Sequence, residues 1–245
     1  MMDPEKLIAE GLIFPASKAR QSITKVEAQV HTNWTDGDDS IENMYSAGIQ
    51  NELDILVFSE HTSVDSVDWY KEFVLQVRNL QKSPTKVFVG TEVRISDTKG
   101  SIAIANEVRS EADVILASVH RFPDHEGNPI EFTNMPENTD VLTMELNMMQ
   151  EAIKGKGAHV IAHPFGMSLR RFGLSPSDEQ WDTLIKSSIE YDVALEFNSK
   201  YHRNDFSILD RYIKSNCLIT FGSDAHRITE VAECANQVAE YFKSI

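Results

Sequence analysis

Seven strand-like runs in this chain each close on a side chain that can ligate a metal ion. In order they end on His31 (VEAQVH), His61 (LVFSEH), Glu92 (VFVGTE), His120 (ILASVH), His163 (VIAHP), Glu196 (ALEFN) and the Asp224/His226 pair (ITFGSDAH). Segments of helical period separate them, and strand–helix alternation implies a parallel sheet with right-handed crossovers. Candidate strands fall near 26–31, 54–59, 86–92, 113–120, 158–163, 193–198 and 218–223. Candidate helices fall near 40–51, 68–81, 101–110, 139–156, 177–190, 204–215 and 228–243. Segment 177–190 sets the pattern, with Ser177 as N-cap and Trp181, Leu184, Ile185 and Ile189 as its apolar face. An open doubly wound sheet gathers its ligands at one switch point, from few strand ends. Here every strand contributes, so a closed α/β barrel is expected, with the ligands converging at the carboxyl ends of its strands.

A chain of 245 residues can bury the core of one such domain. Residues 1–25 read as an N-terminal extension, a short helix begun at Pro4 and redirected at Pro15, and 26–245 as the barrel. The formal net charge of −15, from 23 basic and 38 acidic residues, works against non-specific binding to nucleic acid or anionic membranes. A small phosphorylated metabolite stays compatible with it, because bound divalent ions and a few arginines reverse the sign locally. Cys217 and Cys234 form no CxxC pair and are expected to be reduced and buried. The chain shows no basic, then long apolar, leader and no run of membrane-spanning length, so a cytoplasmic location is the expectation. Oligomeric state leaves no signal in the sequence.

Asp224 and His226, two residues apart at a strand end, share a face, and Gly222 before them lets backbone pass close to ligands. His163 leaves the apolar run Val160-Ile161-Ala162 into Pro164, and His120 is followed at once by Arg121. Glu92 has two oxygens with which to bridge two ions, and Gly90 permits close packing beside it. Glu60, next to His61, is placed to orient a ligand by accepting a hydrogen bond. Each residue alone has an ordinary explanation in a core or a loop; the set together points to a metal centre, with Glu92 and Asp224 as its catalytic carboxylates. Arg121 is the foremost candidate for a phosphate clamp, followed by Arg227 and Arg94. Arg170 and Arg171 follow His163 and either reach the distal part of a substrate or offset the acidic surface. His125 and His202 read as loop histidines, His159 as a residue at the opposite strand end, and Asn198 as a cavity-lining neighbour of Glu196. Met148 and Met149 read as helix packing.

The pieces QVHTNWTDG, SEH, GTE, SVH, AHP and GSDAH, in this order over about 26–227, resemble the polymerase and histidinol phosphatase (PHP) family of metal-dependent phosphoesterases. The resemblance implies a distorted seven-stranded (β/α)7 TIM-like barrel with two or three divalent ions, of zinc, manganese, iron or magnesium. By position it implies His31, Glu92 and Asp224 for one ion and Glu92, His120 and His163 for a second; His61 and His226, with Asp36, match a third. The family usually opens on HxHT. Here Gln29 stands where the first histidine belongs, and an amide oxygen is a weak donor to zinc. Glu60 likewise stands where an aspartate is more common. The expected activity is hydrolysis of a small phosphomonoester, histidinol-phosphatase-like, through metal-activated hydroxide. A metal-binding pseudoenzyme or regulatory module with an incomplete first site is the alternative, and a nuclease the third reading.

Overall fold

Runs rich in Val, Ile, Leu and Phe pair into a sheet whose strands are covered on both faces, as parallel sheets require. The computed structural model describes residues 2–20, 25–124, 126–136, 139–203 and 205–245. The chain order is α1 (Pro4–Glu10), β1 (Phe14–Pro15), β2 (Val26–Val30), α2 (Ile41–Gln50), β3 (Ile55–Thr62), α3 (Val67–Arg78) and β4 (Lys86–Arg94). There follow α4 (Asn106–Glu111), β5 (Val114–Ser118), α5 (Val141–Gly155), β6 (Val160–Ile161) and α6 (Asp178–Tyr191). The last are β7 (Ala194–Asn198), α7 (Ser199–His202), α8 (Phe206–Ser215), β8 (Leu218–Gly222) and α9 (Glu233–Ser244).

The strands form one sheet in the order β1-β8-β7-β6-β5-β4-β3-β2, parallel throughout except where β1 meets β8. Its far side closes on itself. Ala225, just past β8, donates its N–H to the carbonyl of Gln29 at 3.0 Å and accepts from the N–H of His31 at 2.9 Å. The barrel therefore closes at the end where the candidate ligands lie.

The sheet has one strand more than the seven expected. Phe14–Pro15 adds as an antiparallel edge on β8, with Phe14 opposite Ile219, where Pro15 costs no ladder hydrogen bond. Two residues are too few to leave a periodic signal. The residues before β2 are built onto the barrel: Leu7, Leu12, Ile13 and Ala16 are fully buried, and α1 starts on Pro4 with Asp3 as its N-cap.

Most expected helices stand within a few residues of their places, and the exceptions have local causes. Ser177 caps α6 in a full capping box with Gln180. On that helix Trp181, Leu184 and Ile185 are buried, but Ile189 is 47% exposed and Ser188 takes the inward position. The segment expected to be helical from 101 begins only at Asn106, because Ile102 is engaged in a bridge to Ile95. The last helix starts at Glu233 rather than 228, after Ala232 in a left-handed conformation. A π-helical turn at Ser168–Phe172 and the short α7 were not anticipated. Met148 and Met149 are buried on α5, and both cysteines are free and buried. No helix among the described residues is long and apolar enough to cross a membrane.

Candidate metal centre

The strand ends place the candidate ligands. His61 and Glu92 are register partners on β3 and β4, so their side chains emerge side by side. His31 is the first residue beyond β2, while His120, His163 and Asp224 lie two residues beyond β5, β6 and β8. His163 (φ 31°) and Asp224 (φ 51°) both adopt left-handed backbone, which costs a non-glycine residue about 1–3 kcal/mol and persists only where the surroundings demand it. Both are nearly fully buried.

Glu92 is the hub. Its Oε1 lies 2.9 Å from His163 Nε2 and 3.1 Å from His120 Nε2, while its Oε2 lies 3.0 Å from His61 Nδ1 and 3.5 Å from His31 Nε2. His31 Nε2 is also 3.2 Å from Asp224 Oδ1. Asp36 Oδ2 stands 3.4 Å from both His61 Nε2 and His226 Nε2. Among the described residues, three overlapping groups have ligand atoms close enough for one ion each: His31, Glu92 and Asp224; His61, Glu92 and His120; and His31, Asp36, His61 and His226. The first agrees with the set implied by the resemblance. The second has His61 where His163 was expected, although His163 keeps the shortest approach to Glu92. The third adds His31.

These residues fit divalent cations on the chemistry of their buried atoms. Both ring nitrogens of His31 and Oε2 of Glu92 are buried without a hydrogen-bond partner, an arrangement that is costly unless something else satisfies them. Imidazole nitrogens and carboxylate oxygens are the donor set of zinc, manganese and iron centres. The field agrees. Burial alone would raise the Glu92 carboxyl, but the His120 and His61 rings hold it well below the usual carboxylate range. Burial likewise opposes charge on His61, yet Glu92 and Asp36 push that ring up to about 11. The carboxylate field that raises this ring also favours a divalent cation.

Other expected residues take different parts. Glu196 belongs to none of the three groups. Burial pushes its carboxyl well above the usual range, and its Oε2 accepts from the N–H of His163 at 2.7 Å, so it positions a ligand-bearing loop. A Cβ at Gly222 would collide with Glu196 Oε1, and one at Gly90 would sit 2.6 Å from Val57 Cγ1; both glycines permit close approach. Glu60 accepts from the N–H and hydroxyl of Thr32 (2.8 and 2.6 Å) and from the Thr35 hydroxyl, fastening the loop between His31 and Asp36 rather than a ligand ring. Asn198 is buried and donates from Nδ2 to Gln29 Oε1 and Glu196 Oε2, each at 3.1 Å.

His202 is not a loop histidine. It is buried on α7, its Nδ1 accepts from the N–H of Asn198, and desolvation lowers it to about 4. His159 lies at the amino end of β6, where Nδ1 accepts from the N–H of Ile115. His125 lies outside the described residues. Of the three arginines proposed for substrate, Arg94 and Arg121 line the cavity over the centre, with Arg170 and Arg171. Arg227 instead forms an exposed ion pair with Asp38, its Nε 2.6 Å from Oδ2.

That cavity measures about 530 Å³ and is also lined by Met167, Lys200 and Tyr201, which sequence reasoning passed over. Lys200 Nζ lies 2.8 Å from Asp224 Oδ2. The signal available for it was position, two residues beyond the carboxyl end of β7.

The family model described as PHP domain matches residues 27–200. The chain is 24% identical over 216 residues to the DNA polymerase/3'-5' exonuclease PolX of Bacillus subtilis (strain 168), covering 83% of this chain and 34% of that protein. It is 26% identical over 155 residues to a Caldicellulosiruptor saccharolyticus protein named "Probable phosphatase", covering 60% of this chain and 56% of that one. The chain thus spans about a third of one curated relative and little more than half of the other. Among solved structures it resembles histidinol phosphate phosphatase from Lactococcus lactis subsp. lactis Il1403, complexed with zinc, L-histidinol and phosphate. The TM-score is 0.65 at 16% identity, covering 91% of this chain and 94% of that one, a likeness of fold.

Proposed function

Because the chain belongs to the PHP domain family, we propose that it is a metal-dependent phosphoesterase acting on a small phosphomonoester. The observation that carries this reading is Glu92, whose two oxygens face imidazoles on opposite sides: His120 and His163 on one, His31 and His61 on the other. One carboxylate so placed would serve two of the three ligand groups. Two or three divalent ions would be held by the three ligand groups, and the imidazole-rich donors favour zinc, manganese or iron over magnesium. When bound, such ions lower the pKa of water toward neutrality and offset charge on phosphoryl oxygens.

The chain's own residues supply the rest. Glu92 and Asp224 hold the centre together, and the Asp224 carboxylate is kept ionised despite burial by His31 and Lys200. Arg121, beside the ligand His120, clamps phosphate oxygens as a planar bidentate donor, with Arg94 alongside. A cavity of about 530 Å³ suits a small ligand. The resemblance to an enzyme solved with L-histidinol and phosphate supports a phosphomonoester of that size class.

A nuclease is the second reading, favoured by the similarity to a 3'-5' exonuclease. Elemental analysis of the purified chain, then a screen of phosphomonoesters and a single-stranded oligonucleotide across divalent metals, tests both. Inorganic phosphate released from small monoesters supports the proposal. Nucleotide release from the oligonucleotide without phosphatase activity overturns it. A metal-loaded chain inert on every ester until Gln29→His restores turnover would mark a metal-binding module instead.

A further inference from the structure

The cavity over the metal centre holds more positive charge than one phosphoryl group calls for. Arg94, Arg121, Arg170, Arg171 and Lys200 all line it. The carboxylates among its lining residues, Asp36 and Asp224, belong to the candidate ion groups. In a chain with 38 acidic and 23 basic residues, composition does not produce such a reversal. The cations also come from separate places: the end of β4, the residue after His120, the π-helical turn and α7.

They divide by depth. Lys200 is committed to Asp224, and Arg121 adjoins an ion ligand. Arg170 stands farther out. The Tyr201 ring stacks on His163 with centroids 4.1 Å apart, and the Arg170 guanidinium lies over Tyr201 at 5.3 Å, two layers beyond the ion ligand. The turn that carries Arg170 and Arg171 has a fixed base. Buried Glu145 accepts from the N–H groups of Met167 (3.1 Å) and Ser168 (2.8 Å) and from the Ser168 hydroxyl (2.6 Å). Guanidinium groups presented this way form an anion site separate from the one over the ions.

We infer that the substrate carries a second anionic group, a phosphate or carboxylate remote from the phosphoryl group that is cleaved, and that Arg170 and Arg171 bind it. The inference rests on the phosphoesterase reading and narrows it. An aminoalkyl phosphate would bring its ammonium toward these guanidinium groups and is selected against by like charge.

The test uses the manganese-loaded full chain and four matched esters: glycerol phosphate, phosphoglycerate, bisphosphoglycerate and phosphoethanolamine. The expected kcat/KM is at least about tenfold higher for an ester with a second anion than for glycerol phosphate, with phosphoethanolamine lowest. The phosphoglycerate and bisphosphoglycerate arms tell carboxylate from phosphate. In an Arg170→Gln, Arg171→Gln double variant the preference falls by about tenfold or more, chiefly through KM. Both side chains are exposed, and thermal melts of the variant against wild type check that it folds. Equal or better turnover of the neutral or amine ester, or a preference unchanged in the variant, overturns the inference. If none of the esters is turned over, the phosphoesterase reading is what fails. Calorimetric binding of bisphosphoglycerate against glycerol phosphate, in wild type and variant, then decides the anion site by itself.

Discussion

At the centre a protein ammonium, that of Lys200, occupies a candidate ion ligand, the Asp224 carboxylate. Nζ lies 2.8 Å from Oδ2 and 3.0 Å from the carbonyl oxygen of the same residue, while Oδ1 faces His31 Nε2 at 3.2 Å. One carboxylate is thereby divided between a resident cation and an ion position. A positive charge at that distance weakens the pull of Asp224 on a divalent ion. Lys200→Met is expected to tighten the weakest-held ion by roughly threefold or more, read by competition with a chromogenic chelator. Unchanged or looser binding would show that the lysine supports the ligand instead of competing for it.

Alanine at Glu92 or Asp224 removes the shared ligand or the strained strand-end carboxylate. Metal retention should be lost, and turnover should fall by about a thousandfold or more, since the ions supply several kcal/mol of transition-state stabilisation. Elemental analysis alongside initial rates checks this. Wild-type metal content in either variant would remove the residue from the centre.

Gln29 shares the interior with His31, yet its Nε2 is buried without a partner and its Oε1 accepts from Asn198. Gln29→His replaces a weak amide donor with an imidazole. The variant should retain more metal per chain, with a dissociation constant lower by at least about tenfold for one ion, the scale on which even outer partners act. Elemental analysis after extended dialysis provides the measurement, and content equal to wild type refutes it.

Glu145 gives a pH signature of stability. Burial pushes its carboxyl from about 4.5 to about 7, against the hydrogen bonds from Ser168 and Met167. A carboxyl raised in the folded state contributes stability that is complete below its unfolded pKa and is lost as pH rises through the folded value. The loss falls between about pH 4.5 and 7 and amounts to about 3 kcal/mol. Glu145→Gln cannot titrate. The stability of wild type relative to this variant should therefore decline from pH 5 to pH 8 in chemical denaturation. Parallel pH profiles for the two proteins would sink this prediction.

That the candidate ligands lie close together could be anticipated from sequence; their role as ligands is the proposal. His31, His61, Glu92, His120, His163 and Asp224 each follow or end an apolar run, and that local signal survives without neighbours. What failed was local reasoning about residues whose partners are remote. Arg227 adjoins His226 and looked like a substrate contact, but Asp38, 189 residues away, takes its guanidinium. His202 looked like a loop residue because a four-residue helix has no periodicity, and only packing buries it beside Phe197 and Trp181. Glu196 reads like the ligands in sequence, yet it sits in the middle of β7 and accepts from the His163 N–H.

By itself the chain's order of residues determined the alternation of strands and helices, the chemistry at the strand ends and the substitution of Gln29. Those properties depend on periodicity and on side-chain type, which act over a few neighbours. Tertiary structure alone decided which oxygen of Glu92 faces which ring, that Lys200 reaches Asp224, and that arginines from separate segments meet over one cavity. Such distances follow from strand register and from barrel closure at Ala225, and both are settled by packing summed over the whole core rather than by any one stretch of sequence.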